Sequence, residues 1–148
     1  MNKLVLHQKC LEIVENNIST IKLALHEAQE AANNETKSSA GDKHETGRAM
    51  AQLETEKLSA QLNDALNQKQ LIAKINSNLQ SKQITIGSLV YTTNGIFYIG
   101  VSLGKIDINN ETIYVVSPQS PIGKLLLTKK EKDSFSLNCK MYVIEKIY

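Results

Sequence analysis

The chain has 148 residues, with 17 Lys and Arg against 15 Asp and Glu, 5% aromatic residues and no Trp. That length holds one ordinary domain or two small ones, and so few aromatic rings argue against a single large core. The near-balanced charge provides no basic stripe for direct nucleic-acid binding, so any nucleic-acid role is expected to run through a partner. Cys10 and Cys139 stand far apart and outside metal-type spacing, which excludes a disulfide framework and fits a reducing cytosol. No apolar run approaches the roughly 18 residues of a membrane span, and the hydrophobic residues at the start are broken by charges, so a soluble, unexported, cytoplasmic protein is expected.

From the start, Leu4, Leu11, Ile18, Leu25 and Ala32 recur every seven residues, with His7, Val14, Ile21 and Ala28 offset by three. This is an a/d seam in which His7 is the polar intruder. One helix from about Asn2 to Asn33 is predicted, roughly 45 Å long at 1.5 Å per residue. Asn33 to Asp42 loses the seam and is rich in Asn, Ser and Gly, the composition of a bend. Beyond it, Ala51, Leu58, Ala65, Ile72 and Leu79 again recur every seven, flanked by Leu62, Leu66 and Ile75. A second helix running to about Asn78 should zip against the first as an antiparallel coiled coil.

After Lys82 the period changes. Ile84, Ile86 and Val90 lead into a segment whose Asn94-Gly95 is a strong hairpin-turn signal. Strands are predicted at Thr112 to Val116, Ser134 to Asn138 and Met141 to Tyr148, with a short helix over Pro121 to Leu127 opened by its proline. The fold class is therefore α+β, with a helical hairpin over residues 1–80 and a small β-rich domain over 81–148. Neither part is strongly charged.

The chemistry-bearing segment is the end of the rod, residues 38–46, where Asp42 and Glu45 stand three apart. At that spacing two carboxylates point the same way on a helix and suit a hard divalent cation such as Mg²⁺. The same spacing is also a capping box, with Asp as N-cap and Glu satisfying a backbone N–H. Both readings stand on spacing alone. His44 is a solvated loop histidine or a proton carrier. His7 and Cys10, one turn apart, form half of a zinc site or an ordinary seam pair. The three lysines of Leu127 to Asp133 make a solvated turn or face an acidic partner.

Two places resemble the Gre family of bacterial transcript-cleavage factors. At the bend, Gly41-Asp42-Lys43-His44-Glu45 matches the family's Gly-Asp-x-x-Glu, while Thr46, Gly47, Arg48 and Ala49 depart from the family's next four residues. In the second half, Ser120 to Phe135 is similar to the family's Ser-Pro motif and subsequent turn, with Thr128 and Lys132 where family members frequently carry glycine. The resemblance implies an FKBP-like second domain that docks on RNA polymerase through Ser120, Pro121, Ile122 and Lys124. It implies a monomer whose hairpin enters the secondary channel and meets nucleic acid only indirectly, inside the DNA-binding polymerase complex. Asp42 and Glu45 would be the catalytic and metal-holding pair, sharing Mg²⁺ with the polymerase and stimulating its own nuclease, so that the chain alone is no enzyme. The alternatives are a Gre-like channel regulator without cleavage activity and a plain coiled-coil interaction module. A prolyl isomerase reading fails for want of an aromatic-lined pocket.

Overall fold

The computed structural model describes residues 1–36 and 41–148, with side chains at 1–34 and 45–148. Two long helices precede a mixed six-stranded sheet, so the fold is α+β. Helix α1 covers Lys3–Thr36 and α2 covers Gly41–Ala73. Of the bend expected from Asn33 to Asp42, residues 33–36 and 41–42 are helical, and residues 37–40 lie outside the described residues. By packing, the chain divides into two compact units, one of Glu12–Gln70 and one of Met1–Leu11 with Leu71–Tyr148.

Within Glu12–Gln70 the helices pair antiparallel. Glu15 on α1 meets Lys69 on α2 at 3.4 Å, and Gln29 shares a groove with Gln52 and Thr55. The predicted seam is real over this span: Val14, Ile18, Leu58 and Ala65 are buried, and Ile21, Leu25, Ala28, Ala32 and Leu62 are half-buried. Burying each such aliphatic side chain stabilises the pair by about 1.5–3 kcal/mol before the entropy of ordering is counted. The Glu15–Lys69 pair is about half exposed on both sides and contributes little.

The first heptad departs from expectation. Leu4 is 47% exposed, whereas Leu6 and Cys10 are fully buried. Here α1 packs within the sheet-bearing unit, and the buried positions follow four-residue steps instead of the heptad. Asn2 caps the helix, its Oδ1 accepting from the Leu4 N–H at 3.0 Å. Helix α2 ends at Ala73, five residues before the predicted Asn78. The chain tightens into i→i−3 bonds from Lys74 to Leu71 and from Ile75 to Ile72. Asn76 then receives the Asn78 N–H on its side chain at 3.1 Å, a local bond that competes with continued helix.

The sheet comprises β1 (Leu89–Thr92), β2 (Gly95–Ile99), β3 (Gly104–Ile108), β4 (Glu111–Val116), β5 (Ser134–Leu137) and β6 (Lys140–Ile147). Their spatial order is β3-β4-β2-β1-β6-β5. Among the described strands, only β2 and β4 pair in parallel. Helix α3, Pro121–Leu126, lies between β4 and β5 in sequence. The β1–β2 hairpin turns at Thr93-Asn94, with Gly95 at φ +134, a value glycine alone adopts freely. Strand β3, which periodicity does not predict, pairs with β4 through Asn109-Asn110, both at positive φ.

Alternation along β2 separates two packed faces. Phe97 and Ile99 join Ile84, Val90, Phe135, Ile144 and the α3 residue Leu126 in the core cluster. Tyr98, fully buried, faces the other way and meets His7 of α1. Ile75 packs close to Gly87 and Gly100, where a Cβ would lie 2.7 and 3.2 Å from its methyl carbons. The aromatic rings pair across strands: Phe135 stacks on Tyr142 at 4.9 Å, and Phe97 lies between Tyr142 and Tyr114.

Candidate functional site

The two acids of the rod's end have helical backbone in the opening turns of α2. Because α2 begins at Gly41, Asp42 stands inside the first turn and not at the flanking position that a capping box requires. The Asp42 side chain lies outside the described residues, as do those of Lys43 and His44. Glu45 is described and exposed, so its carboxylate is open to solvent. Arg48, one turn on, lines a groove with Gln29, Ala32, Asn33, Gln52 and Thr55. No ion pair joins Glu45 to Arg48 among the described residues.

The Ser120–Lys124 segment is built with little freedom. Ser120 sits in extended conformation as the N-cap of α3, accepting the Gly123 N–H on its Oγ at 3.0 Å and donating the hydroxyl to the Ser117 carbonyl at 2.7 Å. Pro121 takes the first helical position, where its missing N–H costs nothing. Gly123 is buried, and a Cβ on it would lie 2.0 Å from the Ser117 carbonyl oxygen. Ile122 packs against the core cluster. Of the four predicted contact residues, Pro121 and Lys124 are therefore the exposed ones, while Ser120 is committed to the cap and Ile122 largely to the core. Gly123 falls within the Ser-Pro motif read from the sequence, whereas Ser117, its close neighbour here, lies before that motif.

The turns after α3 are strained. Thr128 holds φ +70 and Lys132 φ +75, in the left-handed region that disfavours side chains with a Cβ, β-branched ones most of all. The backbone is stitched on both sides, with Thr128 N–H donating to the Ile84 carbonyl and Lys132 N–H to that of Ile144. Both are positions where glycine is the more comfortable residue, as are Asn109, Asn110, Asn138 and Cys139, which also hold positive φ.

His7 and Cys10 come together with Tyr98. The His7 Nδ1 lies 2.9 Å from the Tyr98 hydroxyl, and burial holds the His7 pKa below its ordinary value. Burial also pushes the Cys10 thiol up to about 12. One imidazole nitrogen of His7 is engaged by the tyrosine hydroxyl. Cys10 is fully buried and His7 half-buried, and no cluster of three or more metal-binding side chains occurs among the described residues. Nor is any described helix long and apolar enough to cross a membrane.

No protein-family model matches the sequence, and no curated protein matches it. Among solved structures, the chain is similar to one described as "Structure of the transcription factor Gfh1", at 16% identity and a TM-score of 0.38, over 94% of this chain and 93% of that one.

Proposed function

We propose that this protein is a Gre-type transcription factor that binds a bacterial-type RNA polymerase. The observation that carries the reading is the left-handed backbone at Thr128 and Lys132, the two positions at which the resembled motif has glycine. The side chains have changed there, but the conformation that glycine serves is kept, together with the Ser120 cap and the buried Gly123 of the same motif. Agreement between a motif and the backbone geometry it requires is harder to reach by chance than a match of letters.

On this reading the FKBP-like sheet domain docks on the polymerase through the exposed Pro121 and Lys124, and the helical hairpin enters the secondary channel. The hairpin pairs within one chain, which favours a monomer over a coiled-coil interaction module. Asp42 and Glu45 form a hard-oxygen donor pair at i and i+3 of one helix, which fits Mg²⁺ but is too small to hold it alone. The polymerase would complete the coordination. When bound, the ion stabilises charge during hydrolysis of a phosphodiester. What this chain would contribute is position, with both residues on the backbone of one long helix. The departures at Thr46 to Ala49 favour a second reading, a channel-occupying regulator that does not stimulate cleavage.

Binding is tested by co-sedimentation of the full-length chain with purified bacterial core polymerase. Pro121→Asp and Lys124→Glu are expected to weaken the complex at least tenfold with unfolding temperature unchanged, while Glu45→Gln binds as the parent does. Absence of a complex, or binding indifferent to the two surface changes, would overturn the proposal.

A further inference from the structure

Two hollows adjoin on the sheet-bearing unit. Lys3, Leu4 and Asn78 line one of them. Lys82, Lys130 and Ile147 line the other, which encloses about 700 Å³. Gln80 and Tyr148 wall both, so the two lie side by side, and the pair is called the groove. Its apolar content is exposed: Leu4 is 47%, Leu79 52% and Tyr148 41% accessible. Leu79 belongs to the same surface, since its carbonyl accepts the Lys3 ammonium at 2.5 Å.

Lysines outnumber acids among the lining side chains, with Lys3, Lys82 and Lys130 against Glu131. Glu131 keeps its charge, its Oε1 accepting the Ile147 N–H at 3.2 Å. The neighbouring Asp133 accepts the Lys130 N–H at 2.8 Å. Both acids are held by backbone, and neither Lys82 nor Lys130 enters an ion pair among the described residues. The bridge between Gln83 and Lys130 fixes the two lysine-bearing segments side by side.

We propose that this groove docks an acidic segment of a protein partner, with an apolar side chain against Leu4, Leu79 and Tyr148 and carboxylates at Lys82 and Lys130. Charge complementarity selects the occupant. A nucleic acid needs a continuous track of cations along its phosphates, whereas here Lys3, Lys82 and Lys130 share the surface with the Glu131 carboxylate and with amides, hydroxyls and apolar groups. A peptide with alternating acidic and apolar side chains matches both halves. The site uses residues other than Pro121 and Lys124, so it stands or falls apart from the polymerase reading.

The test uses the full-length protein and a fluorescein-labelled decapeptide rich in Glu, Asp and Leu. A Lys- and Arg-rich decapeptide and a single-stranded RNA ten-mer serve as competing probes. Saturable binding of the acidic peptide is expected, weakening with salt and falling at least tenfold in the Lys82→Glu, Lys130→Glu double variant, whose circular dichroism should match the parent. Amide shifts in an NMR titration should centre on Ser81, Glu131 and Tyr148. The proposal is overturned if the acidic peptide does not bind, if the double variant keeps its affinity, if RNA binds more tightly, or if the shifts centre on Pro121 and Lys124. Self-association of the parent that the double variant abolishes would also overturn it, by assigning the groove to a second copy of the chain.

Discussion

Gly123 and Ser117 approach so closely that a Cβ on the glycine would lie 2.0 Å from the serine carbonyl oxygen. The obstacle is backbone, which Ser120 also holds through its hydroxyl, so it has little room to yield. Gly123→Ala should therefore cost about 3 kcal/mol, at the upper end of overpacking effects. Urea unfolding should show the loss as a lower midpoint. A variant as stable as the parent would mean that the Ser117 turn is loose, and the preset docking loop with it.

Thr128 and Lys132 lead to the opposite sign. Both hold positive φ, a conformation that costs a residue bearing a Cβ roughly 1–2 kcal/mol. Glycine removes that strain but loses some of the gain to unfolded-state entropy. Thr128→Gly and Lys132→Gly should each raise stability by about 0.5–1 kcal/mol, read as a higher urea midpoint at unchanged slope. Loss of stability in both would remove the observation on which the functional reading rests.

In the hairpin, Ile18 and Leu58 are 7% and 8% exposed. Ile18→Asp or Leu58→Asp leaves an unpaired carboxylate against the opposing helix and should cost about 3 kcal/mol or more. Helicity lost on mild heating is the readout, and full retention of thermal stability would contradict the pairing of the two helices.

Burial lowers the His7 pKa, so the folded state favours the neutral imidazole. Between that lowered value and the ordinary 6.5, the unfolded chain binds more protons than the folded one, and stability rises with pH. The contribution is present above 6.5 and is lost as pH falls through the folded value. His7→Phe should flatten the pH dependence of the urea midpoint in this window. An unchanged slope would assign it to other groups.

The helical seam is legible from Val14 onward because a heptad reports a partner helix, and from there to Ala32 the partner is a helix. It misleads at Leu4, which is exposed, because the first turns of α1 pack within the sheet unit, where Leu6 and Cys10 are the fully buried positions. Hydrophobic period encodes a face but not what covers it. Strand β3 escapes prediction although Ile106 and Ile108 alternate with charges and Asn109-Asn110 supplies a two-residue turn. Its five residues are too few for periodicity to stand out. At the site, the Ser120 cap and Pro121 are readable because caps are local, whereas the Gly123 contact with Ser117 depends on how the loop folds back. Spacing alone does not separate cap from ligand at Asp42 and Glu45. The start of α2 at Gly41 bears on that choice only through the backbone.

The most direct measurement is transcript cleavage in stalled, backtracked elongation complexes of a purified bacterial RNA polymerase, with and without the full-length protein at limiting Mg²⁺. Shortened RNA is expected with the parent chain, and loss of that stimulation in Asp42→Asn and Glu45→Gln with polymerase binding retained. Carboxamides keep the shape but lack the charge that a hard cation requires. Equal cleavage by the parent and both variants would contradict a catalytic role for the acids. A parent chain that never stimulates cleavage, yet displaces a cleaving factor from the polymerase, would replace the cleavage reading with that of a channel regulator.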